Sequence, residues 1–144
     1  MHNQFKLTFT NPCASDTITL SSPPAAITTY SGGTLTNTAI TVTHSVTPAC
    51  NSYTTYLVEA STTSSTAGFT STGAAYTDLI STSNTNLAFT LSPKTSYYDS
   101  GTATRTSYVK VSVRYTYSSS VAAATYLYTI SVKPKKDIVD LADG

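Results

Sequence analysis

The sequence predicts an all-β fold, an antiparallel immunoglobulin-like β-sandwich of about seven to nine strands with one disulfide. Three observations support this fold. The chain has 30 Thr and 11 Tyr among 144 residues, and both types favour strands. Short segments alternate apolar and polar side chains, which is the period of a half-buried strand. Pro, Gly, Asn and Ser separate these segments, as turn residues do.

The first strand is predicted from the alternation of Phe5, Leu7 and Phe9 with polar residues, and Asn11-Pro12 ends it. The next segments have the same period or a short apolar run between turn signals. They predict strands at Thr17–Leu20, Ile27–Tyr30, Thr38–Val46, Tyr53–Ala60, Tyr76–Ile80 and Leu87–Leu91.

The strongest signal is a long β-hairpin near the end of the chain. Tyr108–Tyr117 and Ala122–Val132 each alternate without interruption, and Ser118–Ser120 can form the turn between them. Two segments lack such alternation and are predicted to be loops, Ser61–Ala75 and Lys94–Arg105. The predicted sandwich therefore spans residues 1–133.

The last residues, 134–144, form a predicted C-terminal extension with a different composition. This segment is rich in Lys and Asp and also carries Ile138, Val139 and Leu141. It is interpreted either as a linker or as a strand that pairs with the sheet of a neighbouring subunit. Asp137, Asp140 and Asp143 recur at every third position, so an acidic tail or a calcium-binding linker are the two interpretations of these carboxylates.

The two cysteines, Cys13 and Cys50, are predicted to form one disulfide in a secreted context. The alternative is a pair of buried free thiols in a cytosolic protein. Low charge and abundant Ser and Thr favour the extracellular space or the cell surface, because O-linked glycans can take over the solubilising role of charged side chains.

Glycans are predicted on hydroxyl groups rather than on Asn, because no Asn has Ser or Thr two residues further on. The segment Ser21–Ala26 resembles the hydroxyproline-glycosylated motifs of algal and plant wall proteins. The candidate O-glycosylation residues are Ser21, Ser22, Pro23, Pro24, Thr62, Thr63, Ser64, Ser65, Thr66, Thr70, Ser71 and Thr72.

Several function classes receive no support from the sequence. Eight Lys and Arg against seven Asp and Glu supply no basic face for nucleic acid, and no apolar run has the length of a membrane helix. His44 lies on the apolar face of its predicted strand, and no nucleophile motif accompanies it. We therefore expect no enzyme activity, no catalytic residue, no metal and no cofactor.

Residues Phe5–Cys13, followed by Asp16–Leu20, resemble the starts of immunoglobulin-like or cadherin-like repeats in large secreted surface proteins of ciliates and other protists. In those repeats a strand ends in an Asp/Asn-Pro-Cys turn and a Thr-rich strand follows. The resemblance implies an extracellular β-sandwich without catalytic residues.

The functional hypothesis from the sequence is a structural subunit of an extracellular, O-glycosylated fibre or surface layer. Copies of the chain would join head to tail through β-edges or terminal strands, because a near-neutral chain associates readily and sheet edges need covering. The candidate inter-subunit contacts are Phe5, Leu7, Phe9, Ile138, Val139 and Leu141. The alternative is an adhesin or carbohydrate-binding module, with Tyr97 and Tyr98 as an exposed aromatic platform.

Overall fold

The fold was analysed on a computed structural model of the chain. The structure describes residues 2–9, 11, 13–21, 24–37, 40–47, 50, 54–83, 87–116 and 123–135. Several predicted features lie outside these residues: the hairpin turn at Ser118–Ser120, the acidic residues of the tail, Ser22 and Pro23, and Ile138, Val139 and Leu141.

Strands are the main secondary structure of the described residues, as the sequence predicts, and two helices of four residues each accompany them. The strands are β1 (Ile18–Leu20), β2 (Ala26–Tyr30), β3 (Leu35–Thr36), β4 (Val42–His44), β5 (Thr54–Ser61), β6 (Ile80–Ser83), β7 (Phe89–Leu91), β8 (Arg105–Tyr115) and β9 (Ala124–Lys133). The helices are α1 (Ala74–Thr77) and α2 (Thr95–Tyr98).

The strands form three sheets, with four, three and two strands among the described residues. The four-stranded sheet has the order β2-β9-β8-β5, and the three-stranded sheet has the order β3-β7-β6. The third sheet pairs β1 with β4. The strands of the predicted hairpin, β8 and β9, are antiparallel neighbours with Arg105 opposite Val132 and Val113 opposite Ala124. By contrast, β2 runs parallel to β9, so the prediction of an antiparallel fold was wrong for this pair of strands.

The core lies between the four-stranded and the three-stranded sheet, because one cluster of buried side chains draws on both. The alternation in β8 and β9 places every second residue in this cluster. The four-stranded sheet contributes Val58, Ala60, Val109, Val111, Val113, Tyr128, Ile130 and Val132, and the other side contributes Leu79, Ile80, Leu87, Phe89 and Leu91.

Two buried polar contacts support the core. The Asn37 side-chain carbonyl accepts a hydrogen bond from the Phe89 amide at 2.7 Å, and its Nδ2 donates to the Tyr128 hydroxyl at 3.3 Å. Asn37 therefore joins the two main sheets. The hydroxyls of Tyr98 and Ser107 are 2.9 Å apart, and both residues are fully buried. The buried side chains of these two contacts thus have partners, which avoids the cost of leaving them unpaired.

Four local predictions were wrong. Residues 5–9 form no strand. The predicted strand Tyr76–Ile80 instead begins with the last turn of α1, because the chain turns at Gly73 with φ of 76° and strand β6 starts only at Ile80. The predicted loop at Lys94–Arg105 contains α2. Within Thr38–Val46, the described residues form a strand only at Val42–His44.

Candidate functional site

The N-terminal segment, residues 2–9, carries the three most exposed large apolar side chains of the described residues. Phe5, Leu7 and Phe9 are 87%, 78% and 91% exposed, although their alternation is that of a strand with one apolar face. Within the described part of the chain, no hydrogen bond or strand pairing involves this segment. The three predicted contact residues are thus displayed to solvent on a backbone without hydrogen bonds to the other described residues.

A tight turn anchors this segment to the rest of the molecule. The Asn11 side chain accepts a hydrogen bond from the Cys13 amide at 2.9 Å, and the Cys13 carbonyl accepts one from the Asp16 amide at 3.2 Å. Cys13 forms the predicted disulfide with Cys50, with a Cα–Cα distance of 6.0 Å. The segment is therefore covalently fixed at its root, close to the start of β1.

A buried polar cluster lies beside this turn, and the sequence reasoning missed it. The Asp16 carboxylate is 2.5 Å from His44 Nδ1 and accepts hydrogen bonds from the Tyr115 hydroxyl at 2.8 Å and the Ser45 amide at 2.9 Å. The side chains of Asp16 and His44 are 0% and 1% exposed. The cluster joins the turn after Cys13 to β4 and to the end of β8.

The hydrogen bonds to Asp16 determine its ionisation. Burial by itself raises the pKa of this carboxyl, but the hydrogen bonds from His44, Tyr115 and Ser45 outweigh burial and lower the pKa from 3.8 to about 2. The carboxylate is therefore ionised at neutral pH. Because both side chains are enclosed, the arrangement can fasten the turn to the sandwich, and it offers no open face to a substrate.

The sequence contained one signal for this cluster. The disulfide brings Cys13 and Cys50 together, and Asp16 and His44 are three and six residues from these cysteines. A disulfide prediction thus places their chain segments in the same neighbourhood. What it does not provide is the direction in which either side chain points.

The candidate glycosylation loop is ordered by its own hydroxyl groups. The buried Ser61 hydroxyl donates to the Ala67 carbonyl at 3.0 Å and accepts from the Ser64 amide at 3.2 Å. The Ser64 hydroxyl accepts from the Thr66 and Ala67 amides, both at 3.2 Å. These contacts are local turns of the kind that Ser and Thr form readily.

Some hydroxyls of this loop form hydrogen bonds that hold its turns, and others face water. The Thr70 hydroxyl donates to the Thr72 carbonyl at 2.9 Å, so it belongs to the first group together with Ser64. Outside this loop, the Ser21 hydroxyl also has a structural contact, because it accepts a hydrogen bond from the Thr41 amide at 2.9 Å. Among the candidates, Thr63, Ser65, Thr66, Ser71 and Thr72 are exposed, Thr62 is half-buried, and Pro24 is exposed.

The expected aromatic platform at Tyr97 and Tyr98 is not present. Tyr98 is fully buried and points its hydroxyl at Ser107, and burial raises the pKa of this phenol to about 12. Tyr97 is half-buried, packs edge-on against Tyr98 with ring centroids 4.8 Å apart, and lies under the Arg105 guanidinium. The prediction failed because α2 turns one ring of the pair into the core.

The chain just after β9 is also held in place by hydrogen bonds. The Asp99 carboxylate accepts a hydrogen bond from the Lys135 amide at 2.9 Å and another from the Ser31 hydroxyl. The Lys135 amide also donates to the Ser31 hydroxyl at 3.0 Å. Asp99, at the end of α2, therefore fixes the point at which the chain leaves β9.

Within the described ranges, no group of three His, Cys, Asp or Glu residues is placed to hold a metal ion. Neither of the two short helices is long and apolar enough to cross a membrane. No protein-family model matches the sequence, and no curated protein matches it either.

Proposed function

We propose that the chain is a structural subunit of an extracellular fibre or surface layer, built on an immunoglobulin-like sandwich and joined head to tail. Its role is non-catalytic, its partners are further copies of itself, and it carries O-linked glycans. The disulfide between Cys13 and Cys50 supports an oxidising environment. The net charge of +1 supports association, because it provides little repulsion between copies.

The observation that carries the proposal is the exposure of Phe5, Leu7 and Phe9. Burial of one such side chain is worth about 1.5–3 kcal/mol, so a neighbour that covers all three gains a large part of the energy of a stable contact. A contiguous exposed apolar strip marks an interaction site in soluble proteins. Alternating apolar residues on a segment without a strand partner are also the pattern of a peptide that adds a strand to a sheet.

The glycans of the proposal have a structural rationale in the loop between β5 and α1. Its exposed hydroxyls, those of Thr63, Ser65, Ser71 and Thr72 among them, are available without breaking the turns that Ser61 and Ser64 hold. Sugars attached there would shield a polar surface that has few charges, and they would leave the core untouched.

The proposal is tested by electron microscopy and sedimentation of the full chain, extracted without reduction. We expect filaments or sheets, and density or mass beyond the polypeptide on Ser, Thr or Pro. The triple variant Phe5→Ser/Leu7→Ser/Phe9→Ser should be monomeric with an unchanged near-UV circular dichroism spectrum. The matched control is Lys6→Ser/Thr8→Ser, which changes the same segment on its polar positions and should still assemble.

Two other results would change the assignment. Assembly by the triple variant together with its loss on deletion of Asp137–Gly144 would move the contact to the C-terminal extension and its residues Ile138, Val139 and Leu141. A wild-type chain that stays monomeric and binds on a glycan array would favour the adhesin or carbohydrate-binding module instead, through a surface other than Tyr98.

A further inference from the structure

Among the described residues, β2 forms one edge of the four-stranded sheet. The hydrogen bonds at the two ends of β2 reveal which of its backbone groups face outward. The Thr129 amide donates to the Ala25 carbonyl at 2.7 Å, and the Ser31 amide donates to the Lys133 carbonyl at 2.9 Å. In a parallel ladder, alternate residues of a strand bond to the same neighbour. The odd-numbered residues of β2 therefore face β9, and the amides and carbonyls of Ala26 and Thr28 point away from the sheet.

Two common kinds of protection against strand addition, a charged residue and a Pro, are missing from β2 itself. All five residues of β2 are uncharged and none is Pro, whereas natural edges are commonly blocked by Lys, Pro or a covering loop. The opposite edge of the same sheet is protected. There β5 carries Glu59, and Thr70 exchanges hydrogen bonds of 2.9 and 3.1 Å with Ala60. Among the described residues, only β9 flanks β2.

The N-terminal segment and the outer edge of β2 match in length and chemistry. Residues 4–9 alternate Phe5, Leu7 and Phe9 with polar side chains and are about as long as β2, which has five residues. The segment contains one charge, Lys6, and β2 contains none, so neither side repels the other. In its own chain the segment is fixed at the disulfide and pairs with no strand.

We infer that the outer edge of β2 is the acceptor site, and that its occupant is the N-terminal segment of a second copy of this chain, added as a fifth strand. This inference rests on the proposed function and names the acceptor surface, which the proposed function does not specify. Because donor and acceptor are different surfaces, each copy can accept a segment from one neighbour and donate its own to another, so the contact can repeat from copy to copy.

The test separates donor from acceptor in full-length chains. The triple variant Phe5→Ser/Leu7→Ser/Phe9→Ser retains the acceptor but lacks the donor. The variant Thr28→Pro lacks one outward amide of the acceptor edge and retains the N-terminal donor segment. The pairing of β2 with β9 is preserved, because Pro is tolerated where a strand amide faces solvent. Ala26→Pro serves as a second acceptor variant, and Thr28→Val is the matched control that retains the amide.

We expect Thr28→Pro and the triple variant to be monomeric when alone and to form a 1:1 complex when mixed. Thr28→Val should assemble like the wild type. A fluorescent peptide with the sequence of residues 2–10 should bind the triple variant, and adding Thr28→Pro to that chain should weaken binding about tenfold or more, the effect of losing a net hydrogen bond. Near-UV circular dichroism verifies that each variant is folded.

The acceptor assignment is overturned if folded Thr28→Pro and Ala26→Pro chains assemble and bind the peptide as the wild type does. It is also overturned if the wild type is a monomer whose residues 4–9 are protected from hydrogen exchange by their own β2. In the first case filaments persist and the proposed function stands with another acceptor. If the wild type forms no assembly and binds no peptide, the proposed function fails together with the acceptor.

Discussion

Asp16 shows how a single carboxylate can make the fold sensitive to acid. The pKa of Asp16 is lowered from 3.8 to about 2 in the folded chain, so its ionised form stabilises the fold above about pH 4. This contribution is lost as the pH falls toward about 2, because the carboxyl then takes up a proton in the folded state as well.

We therefore predict that Asp16→Asn lowers the free energy of unfolding at neutral pH and flattens its decline between about pH 4 and pH 2. Urea unfolding at several pH values, followed by near-UV circular dichroism, measures both effects. The control is Asp78→Asn, because Asp78 contacts the half-exposed Lys94 at 3.2 Å instead of a buried cluster. Equal pH slopes for wild type and Asp16→Asn would contradict the role given to this carboxylate.

The hydrogen bond between Tyr98 and Ser107 yields a second prediction. Ser107→Ala leaves the fully buried Tyr98 hydroxyl without its 2.9 Å partner and should cost about 1–3 kcal/mol of unfolding free energy. The double variant Tyr98→Phe/Ser107→Ala removes both polar groups and should recover part of that loss. A thermal or denaturant double-mutant cycle measures the difference, and strictly additive losses would mean that the two hydroxyls do not act as a pair.

At the scale of a residue, the sequence predicts which side chains are buried better than it predicts which side chains contact each other. His44 was expected on the apolar face of a strand, and its side chain is indeed enclosed. Its contact with Asp16 spans 28 positions in the chain, and neither residue type specifies the other at that separation. Tyr97 and Tyr98 have the same side chain in adjacent positions, and only the turn of α2 decides which of them is buried.

At the scale of the element, the disulfide is the main covalent restraint on the N-terminal part of the chain. Cys13 and Cys50 are 37 positions apart, and the chain-entropy model assigns a loop of that size about 4 kcal/mol. We predict that Cys13→Ala/Cys50→Ala lowers the free energy of unfolding by about this amount. Denaturant unfolding with and without reductant measures it, and reductant should have no effect on the double variant.

If the disulfide restrained only the turn, the double variant would show faster amide hydrogen exchange around residues 11–16, and its unfolding midpoint would be unchanged. That result would contradict a global role for the cross-link. It would also show that the disulfide fixes the N-terminal segment without contributing to the stability of the sandwich.

The strands illustrate what alternation can and cannot predict. The pairing of β8 with β9 follows from two long alternating segments that are adjacent in sequence and need only a turn between them. Phe5, Leu7 and Phe9 alternate just as strictly, and yet they form no strand. Alternation specifies which side chains can be buried together, and it says nothing about whether the chain itself supplies the partner strand. The parallel pairing of β2 with β9 lacked any local signal, because its residues are about a hundred positions apart.

At the scale of the whole molecule, the charge balance predicts how an assembly responds to salt. The proposed contact joins an uncharged strand to a segment with one charge, Lys6, and the chain has a net charge of +1. Salt screens ion pairs and leaves apolar burial intact. We predict that filaments withstand about 1 M NaCl, where exposed charges are screened within about 3 Å. The sedimentable fraction measures this, and dissolution at high salt would indicate that ion pairs hold the copies together.

The parallel pairing of β2 with β9 has a mechanical consequence for a single chain that is pulled at its two ends. Such a pull loads β2 from the side of its first residue, Ala26, and β9 from the side of its last residue, Lys133. Opposite forces at opposite ends of two parallel strands load the hydrogen bonds between them side by side, as shear, because those bonds lie across the direction of pull. A chain pulled in this way would hold its length until the bonds of the pair yield together, and the pair would not peel apart one bond at a time.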